Sequence, residues 1–194
     1  LEPDLTTPRA PSTRELKEVE VDDSNEETSE GPKRTKVKIK LADGKERTIQ
    51  HMMQTTFWGP DGKPMSAEQF IKRLFGELPS LFKDEEELRA LWSKPETRKK
   101  LLEGLADKGY SAQELGEIRT LIQAEKSDLY DVLSYIAYAS VPMTRQERAE
   151  QSKNVLFTKY VGNQQVFLDF VLSEYVKEGV GELDAEKLPA LLQL

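Results

Sequence analysis

The sequence predicts a mainly α protein: a multi-helix bundle of short helices, preceded by a β-hairpin and a disordered N-terminal linker. Three observations carry this. Ser or Thr stands three residues before Gln or Glu at Ser66/Gln69, Ser111/Glu114 and Thr144/Glu147, and the first two pairs open apolar runs at helical spacing. Upstream, KVKIKL alternates lysine with apolar residues and then meets Asp43-Gly44, a hairpin dipeptide. Before that, residues 1–35 are rich in Pro, Thr and acid and hold too little apolar area to offset the entropy of ordering. The expected divisions are a linker at 1–35, a hairpin arm and turn at 36–64, and a helical domain at 65–194.

The linker carries ten acidic side chains against five basic, whereas residues 36–58 carry five basic against two acidic. The whole chain of 194 residues has a formal charge of −7, so the hairpin is its one net-basic stretch. Lys36, Lys38 and Lys40 fall on one strand face, with Lys45 and Arg47 across the turn, a row with the chemistry to contact phosphates or an acidic partner. The plainer reading is that the lysines solvate an exposed strand and deter edge pairing. The second strand is expected to run through ERTIQHMMQTTFW. Two strands alone are marginal in water, so the hairpin must lie on something.

FWGPDGKPMS, residues 57–66, sets two large aromatics against turn-formers. Asp61-Gly62 and Pro64 turn the chain into the first helix, and Phe57 and Trp58 are expected to pin that turn onto the helical core. The first helix should bury Phe70, Ile71, Leu74 and Phe75 and close at Gly76. Asp84 with Glu87 starts the second, with Leu88, Leu91 and Trp92. Pro95 enters a third that ends near Gly109. Ser111 starts the fourth, and Ser127 or Asp128 the fifth, which stops before Pro142. The sixth runs from Thr144 to about Phe157. The seventh, about Gln164 to Lys177, has Val166, Phe167, Phe170, Val171 and Glu174 at helical spacing. A last short segment follows Leu183, interrupted by Pro189. Helices this short depend on mutual packing.

Composition excludes several chemistries. There is no cysteine, and His51 is the one histidine, so thiolate metal sites, disulfides and a His-based metal cluster are out of reach within one chain, and no conventional Ser-His-Asp triad is expected. No GxxxxGK[ST] loop is present. Pro3-Asp4 with Glu15-Leu16-Lys17 matches the bare PD…ExK string of a metal-dependent nuclease, but it lies in a Pro/Thr-rich stretch with no apolar strand. Asp84 to Glu87 reads as helix capping rather than a Ca²⁺ cluster, and Tyr130, Tyr135 and Tyr138 as core or rim aromatics rather than a base-stacking platform. No apolar run approaches a membrane span, so no membrane partner is expected. The absent cysteine fits a reducing cytoplasm, and a chain that starts at Leu1 reads as part of a longer product.

Residues 37–183 resemble the C-terminal helical domain of a type I restriction endonuclease R subunit, the motor and nuclease subunit, of the EcoEI/EcoKI-like kind. The residues that carry the likeness are the Leu41-Ala-Asp-Gly-Lys-Glu-Arg hairpin, FWGPDGKPMSAEQF, ELPSLFKDEEELRALW, AEKSDLYDVLSYIAYA and TRQERAE. The resemblance implies a bacterial or archaeal, cytoplasmic parent that uses ATP and Mg²⁺ to translocate and cut duplex DNA. It implies that this region docks the motor subunit on the methyltransferase and specificity subunits, beside the motor domains of its own chain. It carries no catalytic, cofactor-binding or metal-binding residue onto this stretch. A DNA-binding module using the basic hairpin is the alternative.

Overall fold

The computed structural model describes residues 36–50, 56–59 and 61–183, except the Glu182 side chain. The expected linker at 1–35 with its PD…ExK string, His51, and the segment around Pro189 lie outside the described residues.

Strands β1 (Lys36–Lys40) and β2 (Glu46–Gln50) pair antiparallel, with Lys36 opposite Gln50 and Lys40 opposite Glu46. The alternation expected from sequence holds: Ile39 and Ile49 are buried, while Lys36, Lys38 and Lys40 are exposed. The turn differs from the expected two-residue form. Gly44 N–H donates to the Leu41 carbonyl at 3.0 Å, and Gly44 alone of the Asp-Gly pair takes positive φ, +77°. This is a type I turn followed by a left-handed glycine, which matches the right-handed twist of the strands equally well.

β2 is described as far as Gln50, and the expected continuation through residues 51–55 lies outside the described residues. β3 (Phe57–Trp58) pairs with β4 (Pro64–Met65), so the FWGPDGKPM stretch is a small hairpin of its own. Gly59 N–H donates to Lys63 O at 2.8 Å, and Gly62 sits at φ +70°, a conformation that favours glycine.

Seven α-helices follow among the described residues: α1 Ala67–Glu77, α2 Glu85–Ser93, α3 Pro95–Asp107, α4 Ala112–Leu121, α5 Leu129–Tyr138, α6 Arg145–Leu156 and α7 Asn163–Glu178. Reciprocal capping boxes form at Ser66/Gln69, Ser111/Glu114 and Thr144/Glu147, each satisfying two backbone N–H groups that the helix itself leaves open. Asp84 caps α2 through Glu87 N–H, and Glu87 in turn accepts from Lys83 N–H. Gly76 does not close α1. It lies inside the helix, which tightens into a 3-10 turn at Leu78–Ser80, where Pro79 can enter.

One apolar core joins the β1–β2 hairpin to α1–α5. It includes Ile39, Ile49, Phe57, Phe70, Leu74, Leu88, Leu105, Ile118, Leu133 and Ile136. α6 and α7 bring a separate, smaller cluster of Ala149, Leu172 and Tyr175. The expected α7 stripe is only partly the buried one. Val171, Leu172 and Tyr175 face inward, while Val166 is 70% exposed and Phe170 42%. Polar side chains carry much of the join between the α6–α7 pair and the rest.

No helix among the described residues is long and apolar enough to cross a membrane.

Candidate functional site

The five basic residues of the hairpin divide into two groups. Lys36, Lys38 and Lys40 project from the outer face of β1 and are exposed. Lys45 and Arg47 turn the other way, so they do not extend the row. Arg47 pairs across the ladder with Ile39 and shares its inward face, where its side chain is 0% exposed. Its Nε donates to Tyr135 O at 3.2 Å and its Nη2 to Ile136 O at 2.7 Å. Lys45 Nζ donates to Tyr138 O at 3.1 Å. All three carbonyls belong to the last turn of α5, the negative end of its dipole, where a cation is favourable. The Arg47 guanidinium also lies 5.6 Å from the Phe75 ring centroid and pairs with Asp43 at 2.8 Å, which lowers the Asp43 pKa from the usual carboxylate range. Opposite-face geometry thus corrects the expectation that Arg47 is offered to a polyanion.

α5 covers the outer edge of β2 as well. Thr48 N–H donates to the Tyr135 hydroxyl at 2.5 Å, and that hydroxyl donates to Thr48 O at 3.1 Å. The lysine-bearing edge of β1 has no such cover among the described residues. Tyr130, at 8% exposure, and half-buried Tyr135 and Tyr138 are core and rim residues rather than a flat stacking surface.

In the second small hairpin the two aromatics have opposite fates. Phe57 is 1% exposed and stacks on Phe70 with centroids 4.5 Å apart, and Phe70 meets Tyr110 edge-on at 5.2 Å. Trp58, one residue on in a strand, must point the other way and is 56% exposed. Phe57 alone makes the pin expected of both. Gly62 and Pro64 sit exposed in the turn and its returning strand.

The sequence reading missed a polar joint at the start of α5. Asp128 and Asp131 are both buried. Asp128 accepts from Arg145 Nε at 3.0 Å and from the Tyr175 hydroxyl at 2.8 Å. Asp131 accepts from Arg148 Nη2 at 2.7 Å, from Met143 N–H at 3.1 Å and from Asp128 N–H at 3.1 Å. Burial nevertheless outweighs the Arg148 guanidinium and raises the Asp131 pKa, and it raises that of the Tyr175 hydroxyl too. A signal for the joint was present. Two acids three residues apart in SDLYD face two arginines three residues apart in TRQER, and each pair occupies one face of its helix.

The α6–α7 pair leaves several apolar side chains exposed: Val155 near the end of α6, Tyr160 and Val161 in the connecting turn, and Val166 and Phe170 on the first half of α7. Gln165 Nε2 donates to the Phe157 and Tyr160 carbonyls at 3.0 and 2.7 Å and so holds the turn in place. An ion pair between Lys153 and Asp169 bridges the two helices. Among the described residues no group of three or more His, Cys, Asp or Glu side chains is placed to hold a metal ion.

A family model described as EcoEI R protein C-terminal matches residues 68–193. The type I restriction enzyme EcoAI endonuclease subunit of Escherichia coli is 29% identical over 134 residues, covering 66% of this chain. The chain spans about 15% of the length of that curated relative. No solved structure matches it. A family match over most of the helical region, with a bundle of capped helices behind a small hairpin, places the chain: it belongs to the family of C-terminal domains of type I restriction enzyme R subunits.

Proposed function

We propose that this chain is an assembly domain, which docks the motor subunit of a type I restriction enzyme on the methyltransferase and specificity subunits through the turn end of the α6–α7 pair. The observation that carries this reading is that Val155 near the end of α6, Tyr160 and Val161 in the connecting turn, and Val166 and Phe170 on the first half of α7 are each exposed by 39% or more. Single apolar residues on a surface are ordinary, whereas five within sixteen residues of chain on one helical hairpin suit a surface that a partner covers. On this reading ATP hydrolysis, Mg²⁺ and DNA cleavage belong to other parts of the parent protein, in the cytoplasm where it meets DNA.

The test is capture of the 194-residue chain by a purified methyltransferase–specificity complex in the absence of DNA. The triple variant Val161→Glu, Val166→Glu, Phe170→Glu should keep its helical circular dichroism and lose capture. Capture unchanged by the three glutamates would remove this surface from the assembly.

A second reading rests on Lys36, Lys38 and Lys40, which are exposed on an uncovered edge and step about 6.6 Å apart along β1. Three phosphate contacts would give duplex affinity that falls with the logarithm of salt at a slope near −2.7, from about 0.9 per contact. Replacing the three lysines by alanine should then flatten the slope. A chain with no measurable duplex affinity at low salt would leave the lysines as solvating, anti-pairing residues.

A further inference from the structure

We infer that α6 and α7 form a hinged arm, latched to the main core by polar contacts and able to open as one unit while α1–α5 stay folded. The inference concerns the mechanics of the domain and stands whether or not the arm's tip docks a partner.

The apolar residues of the chain fall into two clusters. The main core draws on both hairpins and α1–α5, whereas Ala149, Leu172 and Tyr175 form the cluster of the arm, and Val180 touches both. What crosses between them is mostly polar: Arg145 to Asp128, Arg148 to Asp131, the Tyr175 hydroxyl to Asp128, and Arg145 N–H to Lys126 O at 2.8 Å. Arg148 also lies 5.4 Å from the centroid of Tyr130. A joint of this kind opens differently from an apolar one. When it parts, carboxylates and guanidinium groups are hydrated together, and the solvation regained offsets most of the lost attraction. An apolar joint of the same area would lose its transfer free energy with nothing in return.

The connection is suited to turning. α5 ends with Ala139 at φ +59°, and Ser140 to Met143 run on without helix or strand to the Thr144 cap. Val141 is 90% exposed, so the segment is not held down by its side chain at that point. Beside it an open groove of about 570 Å³ separates the two bodies, with Glu85, Arg89 and Tyr130 on one wall and Arg148, Gln151 and Ser152 on the other. A tightly packed interface would have filled that volume.

Native-state hydrogen exchange of the 194-residue chain, followed by mass spectrometry in rising subdenaturing urea, tests the inference. Peptides from α6 and α7 should share one opening, at least about tenfold easier than that of α1, α4 and α5. Arg148→Ala should speed α6 and α7 by a common factor and leave α1 and α4 unchanged, because Arg148 is part-exposed and its loss leaves Asp131 unpaired in the closed arm alone. A single shared opening for all helices would overturn the inference. So would an Arg148→Ala effect that spreads equally over the core, or one that separates α6 from α7.

Discussion

The Arg47 guanidinium lies 2.7 Å from the Ile136 carbonyl, and through that contact a hairpin residue caps a helix 89 positions later in the chain. With the Tyr135 carbonyl at 3.2 Å and the Asp43 carboxylate at 2.8 Å, each part of the planar fork has an acceptor. A lysine reaches one acceptor with a point charge, not three with a fork. Arg47→Ala is expected to destabilise the chain by about 3 kcal/mol, since it leaves buried carbonyls and a carboxylate without their donor. Arg47→Lys should recover less than half of that. Urea titrations followed by circular dichroism decide the matter, and a lysine variant as stable as the parent would show that charge alone caps α5.

The neighbours Phe57 and Trp58 should differ sharply. Phe57→Ala empties a fully buried site against Phe70 and is expected to cost about 3–5 kcal/mol. Trp58→Ala removes an exposed ring and should stay within about 0.5 kcal/mol. Equal effects in thermal melts would mean that the second hairpin is seated by both rings.

How far the sequence was legible follows from the range of each interaction. The boxes at Ser66, Ser111 and Thr144 close within three residues, so their partners are visible in a short window, and these helix starts were read correctly. The strand alternation likewise placed Lys36, Lys38 and Lys40 outward. Arg47 was misplaced because its face is set by carbonyls 88 and 89 residues away, which leave no local pattern. α7 was only partly legible for another reason. Val166, Phe167, Phe170, Val171, Leu172 and Tyr175 surround the helix, and periodicity cannot tell which of two apolar faces its own molecule covers. The joint of Asp128 and Asp131 with Arg145 and Arg148 needed both segments side by side.

Two carboxylates, Asp43 at the hairpin turn and the buried Asp131, should give opposite responses to pH. Asp43 has a lowered pKa through Arg47, so its contribution is present above the unfolded value of about 3.9 and is lost as pH falls through the folded one. Asp43→Asn is expected to cost about 1 kcal/mol at pH 7, and the difference should shrink below about pH 4. Asp131 has a raised pKa through burial, so its contribution is fully present below about 3.9 and is lost as pH rises through the folded value. The stability of Asp131→Asn relative to the parent should therefore improve between about pH 3.5 and pH 7. Urea midpoints measured across that range give both trends, and parallel trends would contradict the assigned environments.

The two faces of α7 offer the last test. Leu172 is 7% exposed within the small cluster of the arm, beside Ala149 and Tyr175. Leu172→Ala is expected to cost the arm about 2–4 kcal/mol. Phe170 is the larger residue but 42% exposed, and Phe170→Ala should change stability by less than about 0.5 kcal/mol. Because the clusters are separate, hydrogen exchange should place the Leu172→Ala loss on α6 and α7 before it reaches α1–α5. A larger loss for Phe170→Ala than for Leu172→Ala would mean that α7 turns its other face to the molecule in solution, and the apolar tip would then be part of the core.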